Sequence, residues 1–242
     1  MQTHIKIKIK NRKGSVFVNK AVSKNKTDIP LNKRYSLGEE IFNSVSHGIG
    51  SLLAVAGTVV MIVISALHND AWMVVSSAVY GASLIILYTM STLYHAITNE
   101  KAKRVMRVMD HVTIFFLIAG TYTPITLVSL RGVLGWVLFG LVWGAAILGI
   151  VFNSIDLEKF RKASVVCYVV MGWAIIFAIV PLIRSMPRIS LIFLVLGGVV
   201  YSVGVIFYAV KKIKYFHSVW HLFTLGGSIL HYFAILTSFI YA

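Results

Sequence analysis

Long runs without charged residues constrain the fold of this chain more than any other feature of its sequence. A mostly apolar helix of about 20 residues is long enough to span a bilayer. The sequence predicts seven such helices, at residues 41–66, 71–96, 107–130, 132–152, 163–183, 188–210 and 218–241. The hydrophobic fraction is 58%, above the roughly 45–50% usual for soluble domains. We therefore predict an all-α, multi-pass membrane protein with a seven-helix bundle.

The chain divides into a basic leader, residues 1–36, and a transmembrane domain, residues 37–242. We predict that the leader is a disordered cytoplasmic tail, and the alternative is that its lysines and arginines bind anionic lipid headgroups. The run HIKIKIK at residues 4–10 alternates with period two, which is typical of a strand. Nothing nearby in the sequence offers this run a partner strand.

The distribution of basic residues predicts the orientation of the bundle. In a seven-helix layout, twenty lysines and arginines lie on the side of the leader and three lie on the opposite side. Cytoplasmic segments carry the excess of lysine and arginine, so the N-terminus is expected in the cytoplasm and the C-terminus outside. This placement also explains the net charge of +15 without a nucleic-acid partner.

Polar residues gather at the predicted cytoplasmic ends of four helices. They are Glu40, Asn43 and His47 in the first helix, Ser91 and His95 in the second, Asp110 and His111 in the third, and His217 and His221 in the seventh. A single one of them is readily explained as a helix cap or an interfacial histidine. Together they are candidates for function, because ionisable groups in membrane helices are costly.

Three of these histidines suit a metal ion. His95, His217 and His221 offer neutral nitrogen ligands, and three protein ligands with one open position are typical of catalytic zinc. Asp110 can accept a proton from a bound water, while Ser91 can orient a ligand or polarise a carbonyl. The spacing alone leaves proton-relay histidines and structural hydrogen bonds open.

Five further polar residues and the single cysteine complete the set. Glu40 either starts its helix or, with Asn43, supports the metal ligands, whereas His47 and His111 have no assigned role. His231 lies ten residues beyond His221, about 15 Å deeper along a helix. It is too distant to share the ion, so we expect a hydrogen bond within the bundle or a contact with a lipid polar group. Cys167 has no second cysteine in the sequence, so there is no disulfide framework within the chain.

The motifs resemble those of a known family. E-x-x-N in the first helix, S-x-x-x-H ending the second, an aspartate opening the third and H-x-x-x-H opening the seventh resemble the progestin and adipoQ receptor superfamily. The stretches NSVSHGIG, STLYHA and DHVTIFFLIAGTYTPI are similar to its bacterial hemolysin III branch. The resemblance implies zinc on His95, His217 and His221, with Asp110 contacting the zinc-bound water.

The resemblance leaves three functions open. The first is zinc-dependent hydrolysis of a lipid amide or ester, as in the similar alkaline ceramidases, with a role in membrane-lipid homeostasis. The second is a lytic or pore-forming protein, although a pore would need polar residues through the whole membrane depth. The third is a membrane sensor with a structural zinc. The sequence does not determine whether turnover occurs or which substrate is used.

Overall fold

The computed structural model describes residues 3–11, 14–22, 34–210 and 212–241, most of them in helices. Seven helical spans in these ranges are long and apolar enough to cross a bilayer, which confirms the predicted number. The helices are α1 (Leu37–Leu67), α2 (Ala71–Ala96), α3 (Glu100–Pro124), α4 (Val133–Ile155), α5 (Leu157–Trp173), α6 (Ile179–Ser185), α7 (Arg188–Ala209) and α8 (Phe216–Ile240). The third span is α3 with the turn Ile125–Ser129, and the fifth is α5 and α6 joined by Ala174–Ala178.

The third span begins at Glu100, whereas the sequence predicted residue 107. Asn99 caps this helix, because its side chain accepts hydrogen bonds from the backbone N–H groups of Lys101 and Ala102, both at 3.1 Å. Hydropathy locates the start of an apolar stretch, but the cap determines the start of the helix. Residues 101–107, expected in a loop, therefore form the first two turns of α3.

The fifth span shows the same difference and a break. It begins at Leu157 rather than at residue 163, because the Asp156 side chain accepts a hydrogen bond from the backbone N–H of Lys159 at 3.0 Å. Further along, Ala174–Ala178 forms a tighter 3-10 turn. Pro181 follows it, and proline lacks an N–H group and clashes with the carbonyl four residues earlier, which interrupts an α-helix at this point.

The third span lies at the centre of the bundle. In its most apolar stretch 72% of the residues are buried, against 17% in the fifth span. It packs against α2, α4 and α5, while α8 packs against α1 and α7. Tyr80, Tyr88 and Phe115 are fully buried in this core. Many leucine, isoleucine and valine side chains on the outer helices are exposed, as expected for a surface that faces lipid tails.

A close approach of α1 and α2 brings the start of one helix next to the end of the other. A Cβ atom on Gly81 would lie 2.3 Å from the side chain of Thr58, so only glycine fits at this crossing. Nearby, the hydroxyl groups of Ser65 and Ser77 are hydrogen-bonded at 2.8 Å. The two helices are antiparallel neighbours, and the last turn of α2 therefore lies beside the first turns of α1.

The leader contains an antiparallel β-hairpin of strands β1 (Thr3–Asn11) and β2 (Gly14–Val22). The prediction that residues 4–10 have no partner strand is therefore wrong, because residues 14–22 provide one. An isolated two-stranded hairpin is at best marginally stable in water. Disorder of the leader in solution accordingly stays a prediction, and residues 23–33 lie outside the described ranges.

Candidate metal centre

Three imidazoles converge where the last turn of α2 meets the first turns of α8. The Nε2 atom of His217 lies 3.4 Å from Nε2 of His95 and 3.2 Å from Nε2 of His221. One nitrogen from each ring lies within 4.8 Å of the other two. Zinc–nitrogen bonds of about 2.0–2.1 Å at tetrahedral angles would place ligand nitrogens about 3.3 Å apart. The separations of 3.2 and 3.4 Å fit such a site.

The start of α8 is fixed by contacts with the start of α1. Tyr215 has a left-handed backbone conformation (φ 65°), and its N–H donates a hydrogen bond to Glu39 Oε1 at 2.8 Å. Glu39 also closes a capping box with Ser36, whose backbone N–H donates to Glu39 Oε2 at 2.8 Å. One carboxylate thus ties the N-terminus of α1 to the residue before α8. This arrangement sets the position of His217 relative to α1.

Glu40 connects the histidine cluster to α3. The Nδ1–H group of His95 donates to Glu40 Oε2 at 2.6 Å, and Nζ of Lys103 donates to Glu40 Oε1 at 2.8 Å. All three residues are buried. With the proton on Nδ1, the neutral imidazole of His95 directs its Nε2 lone pair towards the other two histidines. Glu40 therefore orients His95, one of the three candidate ligands.

Asp110 and Ser91 line a small cavity beside the imidazoles. The cavity has a volume of about 20 Å³, enough for one water molecule. Its lining includes Ser91, Asp110, His111, His217 and His221. The Asp110 side chain is 13% exposed and reaches to 3.5 Å from Nδ1 of its neighbour His111. The structure thus places both proposed catalytic side chains at the histidine cluster.

A larger apolar cavity of about 110 Å³ adjoins the small one. The two cavities share the lining residues Leu87, Ile114, Tyr208, Trp220 and Thr224. Side chains from α3, α5, α7 and α8 form most of the wall of the larger cavity. The small cavity beside the histidine cluster therefore adjoins a chamber with mostly apolar walls.

Asn43 and His47 lie behind the cluster on α1. The ring of His47 stacks on that of His221 with the centroids 3.7 Å apart and the planes at 17°. Asn43 is fully buried, and its side-chain amide has no hydrogen-bond partner among the described residues. His47 thus packs against a metal-ligand candidate, and the backbone of Asn43 faces the His221 ring.

His231 is distant from the cluster, as predicted. Its Nε2 atom lies 3.1 Å from the backbone carbonyl oxygen of Leu194 on α7. This confirms the expectation of a hydrogen bond within the bundle. The ring also lines the far part of the larger cavity.

Tyr35, just before α1, covers the cluster from the side of the leader. Its ring stacks on that of His217 with the centroids 4.8 Å apart and the planes at 19°, and it lies 5.5 Å from the ring of His95. Burial raises the pKa of the Tyr35 phenol well above its usual value. The phenol is neutral at neutral pH. Its ring contacts the rings of His95 and His217 and so covers them on this side.

Sequence reasoning missed Lys103, Tyr35 and the stacking of His47. A signal for Lys103 exists in the dipeptide Asn99–Glu100, which is typical of a helix start and makes residue 103 part of the first turn. The position of the Tyr35 ring depends on how the segment before α1 crosses the bundle, and no local sequence pattern indicates that path.

The fold and the site define a multi-pass membrane protein with a three-histidine cluster, two of its rings buried and one half-buried, at one end of a seven-helix bundle. The chain belongs to the haemolysin-III related family, whose model matches residues 35–232. This confirms the resemblance drawn from the motifs.

Named relatives agree with this family. The chain is 44% identical to Hemolysin-3 of Bacillus cereus over 198 residues, covering 82% of this chain and 90% of the relative. It is 44% identical to the Hemolysin-3 homolog of Bacillus subtilis over 202 residues, covering 84% and 95% of the two chains. Identity to the human monocyte to macrophage differentiation factor is 27% over 215 residues, covering 85% and 87%. The last similarity is consistent with the progestin and adipoQ receptor superfamily.

Proposed function

We propose that this protein binds zinc through His95, His217 and His221 and hydrolyses a lipid amide or ester within the membrane. The observation that carries the proposal is the convergence of three Nε2 atoms beside a cavity lined by Ser91 and Asp110. A zinc ion with three nitrogen ligands supplies Lewis acidity at its fourth position.

The hydrogen-bonding capacity of the imidazoles favours a cation over a purely structural cluster. Nδ1 of His95 donates to Glu40, and in the neutral form of the ring this leaves only a lone pair at Nε2. Nε2 of His217 faces two other Nε2 atoms at 3.2 and 3.4 Å, and a single N–H cannot point at both. A cation between the three lone pairs satisfies all of them at once.

Asp110 is suited to move the protons of hydrolysis. Hydrolysis of an amide adds one water molecule: its oxygen bonds to the acyl carbon, the C–N bond breaks, and the amine receives a proton. Asp110 is the sole carboxylate among the residues lining the small cavity in the described part of the chain. It accepts a proton from water as a general base and delivers it to the departing amine or alcohol.

Ser91 lies one helical turn before His95. It lines the small cavity together with Asp110. Its hydroxyl can donate a hydrogen bond to a carbonyl oxygen of the substrate. Such a donor lowers the barrier when it points to the position where negative charge develops. We assign this polarising and orienting role to Ser91.

The adjoining apolar cavity supports a lipid as the substrate. A reactive group at the small cavity would place an attached hydrocarbon chain next to the shared lining of Leu87, Ile114 and Trp220. Burial of that chain among apolar side chains would provide most of the binding free energy. Turnover of such a lipid would adjust the composition of the surrounding bilayer, which is the basis for a role in lipid homeostasis.

The distribution of basic residues supports a cytoplasmic N-terminus, with the metal centre near the cytoplasmic leaflet. In this orientation the basic leader reaches anionic lipid headgroups on the same side, which would hold it at the membrane surface. Reversal of the charge bias by substitution, followed by topology mapping with terminal reporters, tests this orientation.

Hydrolysis can be tested with protein reconstituted into liposomes. Zinc-loaded wild type should hydrolyse ceramide-like or phospholipid substrates, and His95→Ala should lose this turnover. His68→Ala is the matched control, because His68 is exposed at the opposite end of α1. Metal that raises thermal stability without turnover of any lipid would favour a structural zinc in a sensor.

A second function is favoured by the name Hemolysin-3 of two relatives. A lytic or pore-forming protein would release solutes from loaded liposomes. The buried carboxylates, lysine and arginine lie at one end of this bundle, and the polar residues elsewhere are mostly serines and threonines, whereas a wide pore through a single chain needs a polar lining throughout the membrane depth. Leakage that persists in His95→Ala would favour lysis over catalysis.

A further inference from the structure

The pair of Glu40 and Lys103 lies beside the histidine cluster and is buried in the bundle. The Glu40 side chain is 11% exposed and that of Lys103 is 3% exposed. Each oxygen of the Glu40 carboxylate has its own partner, Lys103 on Oε1 and His95 on Oε2. The three side chains come from α1, α2 and α3, so these two hydrogen bonds connect three helices.

The local structure holds both charged residues in place. Glu40 is in the first turn of α1, which the capping box of Ser36 and Glu39 fixes. Lys103 is in the first turn of α3, after the Asn99 cap, and its Nζ lies 5.3 Å from the ring centroid of Tyr94. The cation–π contact and the ion pair together hold the ammonium group inside the bundle.

Stability alone does not explain a buried ion pair. Removal of two charges from water costs several kcal/mol per ion, and apolar side chains of similar volume are often as stable or more stable. The pair is therefore a candidate for a functional role. Within the described ranges, the Glu40 side chain has one hydrogen-bond partner besides Lys103, which is the His95 imidazole.

We propose that Lys103, acting through Glu40, is a positioning residue for His95. Lys103 binds Oε1 of Glu40 and so fixes the rotation of the carboxylate, which leaves Oε2 aimed at Nδ1–H of His95. That hydrogen bond fixes the tautomer and the ring plane, and Nε2 then presents its lone pair to the metal. This inference rests on the proposed zinc site, and it assigns to Lys103 the control of zinc affinity.

Substitution of Lys103 tests the proposal through zinc affinity rather than through catalysis. Loss of a group that orients a ligand typically weakens metal binding by about 10- to 100-fold. Lys103→Met should therefore bind zinc at least about 10-fold more weakly in a chelator competition. Lys101→Met is the matched control: it removes the same charge from an exposed position two residues earlier. Its zinc affinity should equal that of wild type.

A double variant separates positioning from folding. Lys103→Met alone leaves the Glu40 carboxylate without its ion-pair partner and can destabilise the bundle. Glu40→Gln/Lys103→Met removes both charges, so the thermal stability of the zinc-free protein should return close to wild type. Zinc affinity should stay weak, because a glutamine can turn its amide nitrogen towards His95. That nitrogen donates hydrogen bonds and cannot accept the one from Nδ1–H of His95. The visible spectrum of the cobalt-loaded variant should also differ from that of cobalt-loaded wild type.

Three results would overturn the proposal. If the double variant regains wild-type zinc affinity together with stability, the pair is structural. If Lys103→Met binds zinc as tightly as Lys101→Met, Lys103 has no part in positioning His95. If wild type itself binds no zinc, the proposed function fails and this inference fails with it, whereas the first two results leave the proposed function standing.

Discussion

Nε2 of His95 and Nε2 of His217 lie 3.4 Å apart, although 122 residues separate them in the chain. The contact depends on a fold in which α2 ends, and α8 begins, on the same side of the bundle. It also depends on α1, because Glu40 orients His95 and Glu39 bonds to the residue two before His217. The first helix thus aligns both halves of the histidine cluster.

Asp110→Asn tests the proposed proton transfer. The amide keeps the size of the side chain but cannot accept a proton from water. General acid–base catalysis typically contributes about 10²- to 10⁴-fold, so lipid hydrolysis should fall by that order. Zinc affinity should stay close to wild type, because Asp110 is not one of the three ligand candidates.

A matched control for this variant is Asp156→Asn. Asp156 caps α5, and asparagine caps helices equally well, so activity and folding should persist. Retention of full hydrolysis in Asp110→Asn would contradict the role given to Asp110.

Tyr35→Ala tests whether this ring covers the proposed metal centre. Loss of a stacked ring worth about 0.5–1.5 kcal/mol should speed zinc release to a chelator by about 2- to 10-fold. Tyr35→Phe keeps the ring that stacks on His217 and should release zinc at the wild-type rate. Equal release rates in wild type and Tyr35→Ala would show that the ring does not limit access.

The ion pair of Asp70 and Arg131 predicts a pH-dependent stability at the other end of the bundle. Partial burial of the Asp70 carboxyl raises its pKa, but the hydrogen bond from Arg131 at 2.7 Å and those from the Trp72 and Met73 backbone outweigh this. The net pKa of Asp70 is below its usual value. Stability from this carboxylate is therefore full above the unfolded-state pKa of about 4 and is lost as the pH falls through the folded-state pKa.

Comparison of wild type with Asp70→Asn measures this effect, because asparagine retains the cap of α2. The exposed pair should contribute less than about 1 kcal/mol at neutral pH. The difference in thermal unfolding temperature should shrink below about pH 4. A difference that is the same at both pH values would contradict the ion-pair account.

The sequence predicts much of this architecture because hydropathy is a property of a whole helix. One unusual residue does not change the average over about 20 positions. Seven spans follow from hydropathy, and helix parity places His95, His217 and His221 at the same end of the bundle. The start of α3 escaped prediction, since a capped, charged first turn does not differ from a loop in hydropathy. The sequence therefore predicts a loop at Lys103, whereas the structure buries this residue in α3 beside Glu40.

Zinc analysis of the purified protein tests the central claim most directly. After exposure to zinc and removal of the excess, wild type and His68→Ala should each retain roughly one zinc ion per chain. The variant His217→Ala/His221→Ala should retain none, because two of three ligands are gone. Absence of zinc from wild type, or equal zinc in the double variant, would contradict the metal centre.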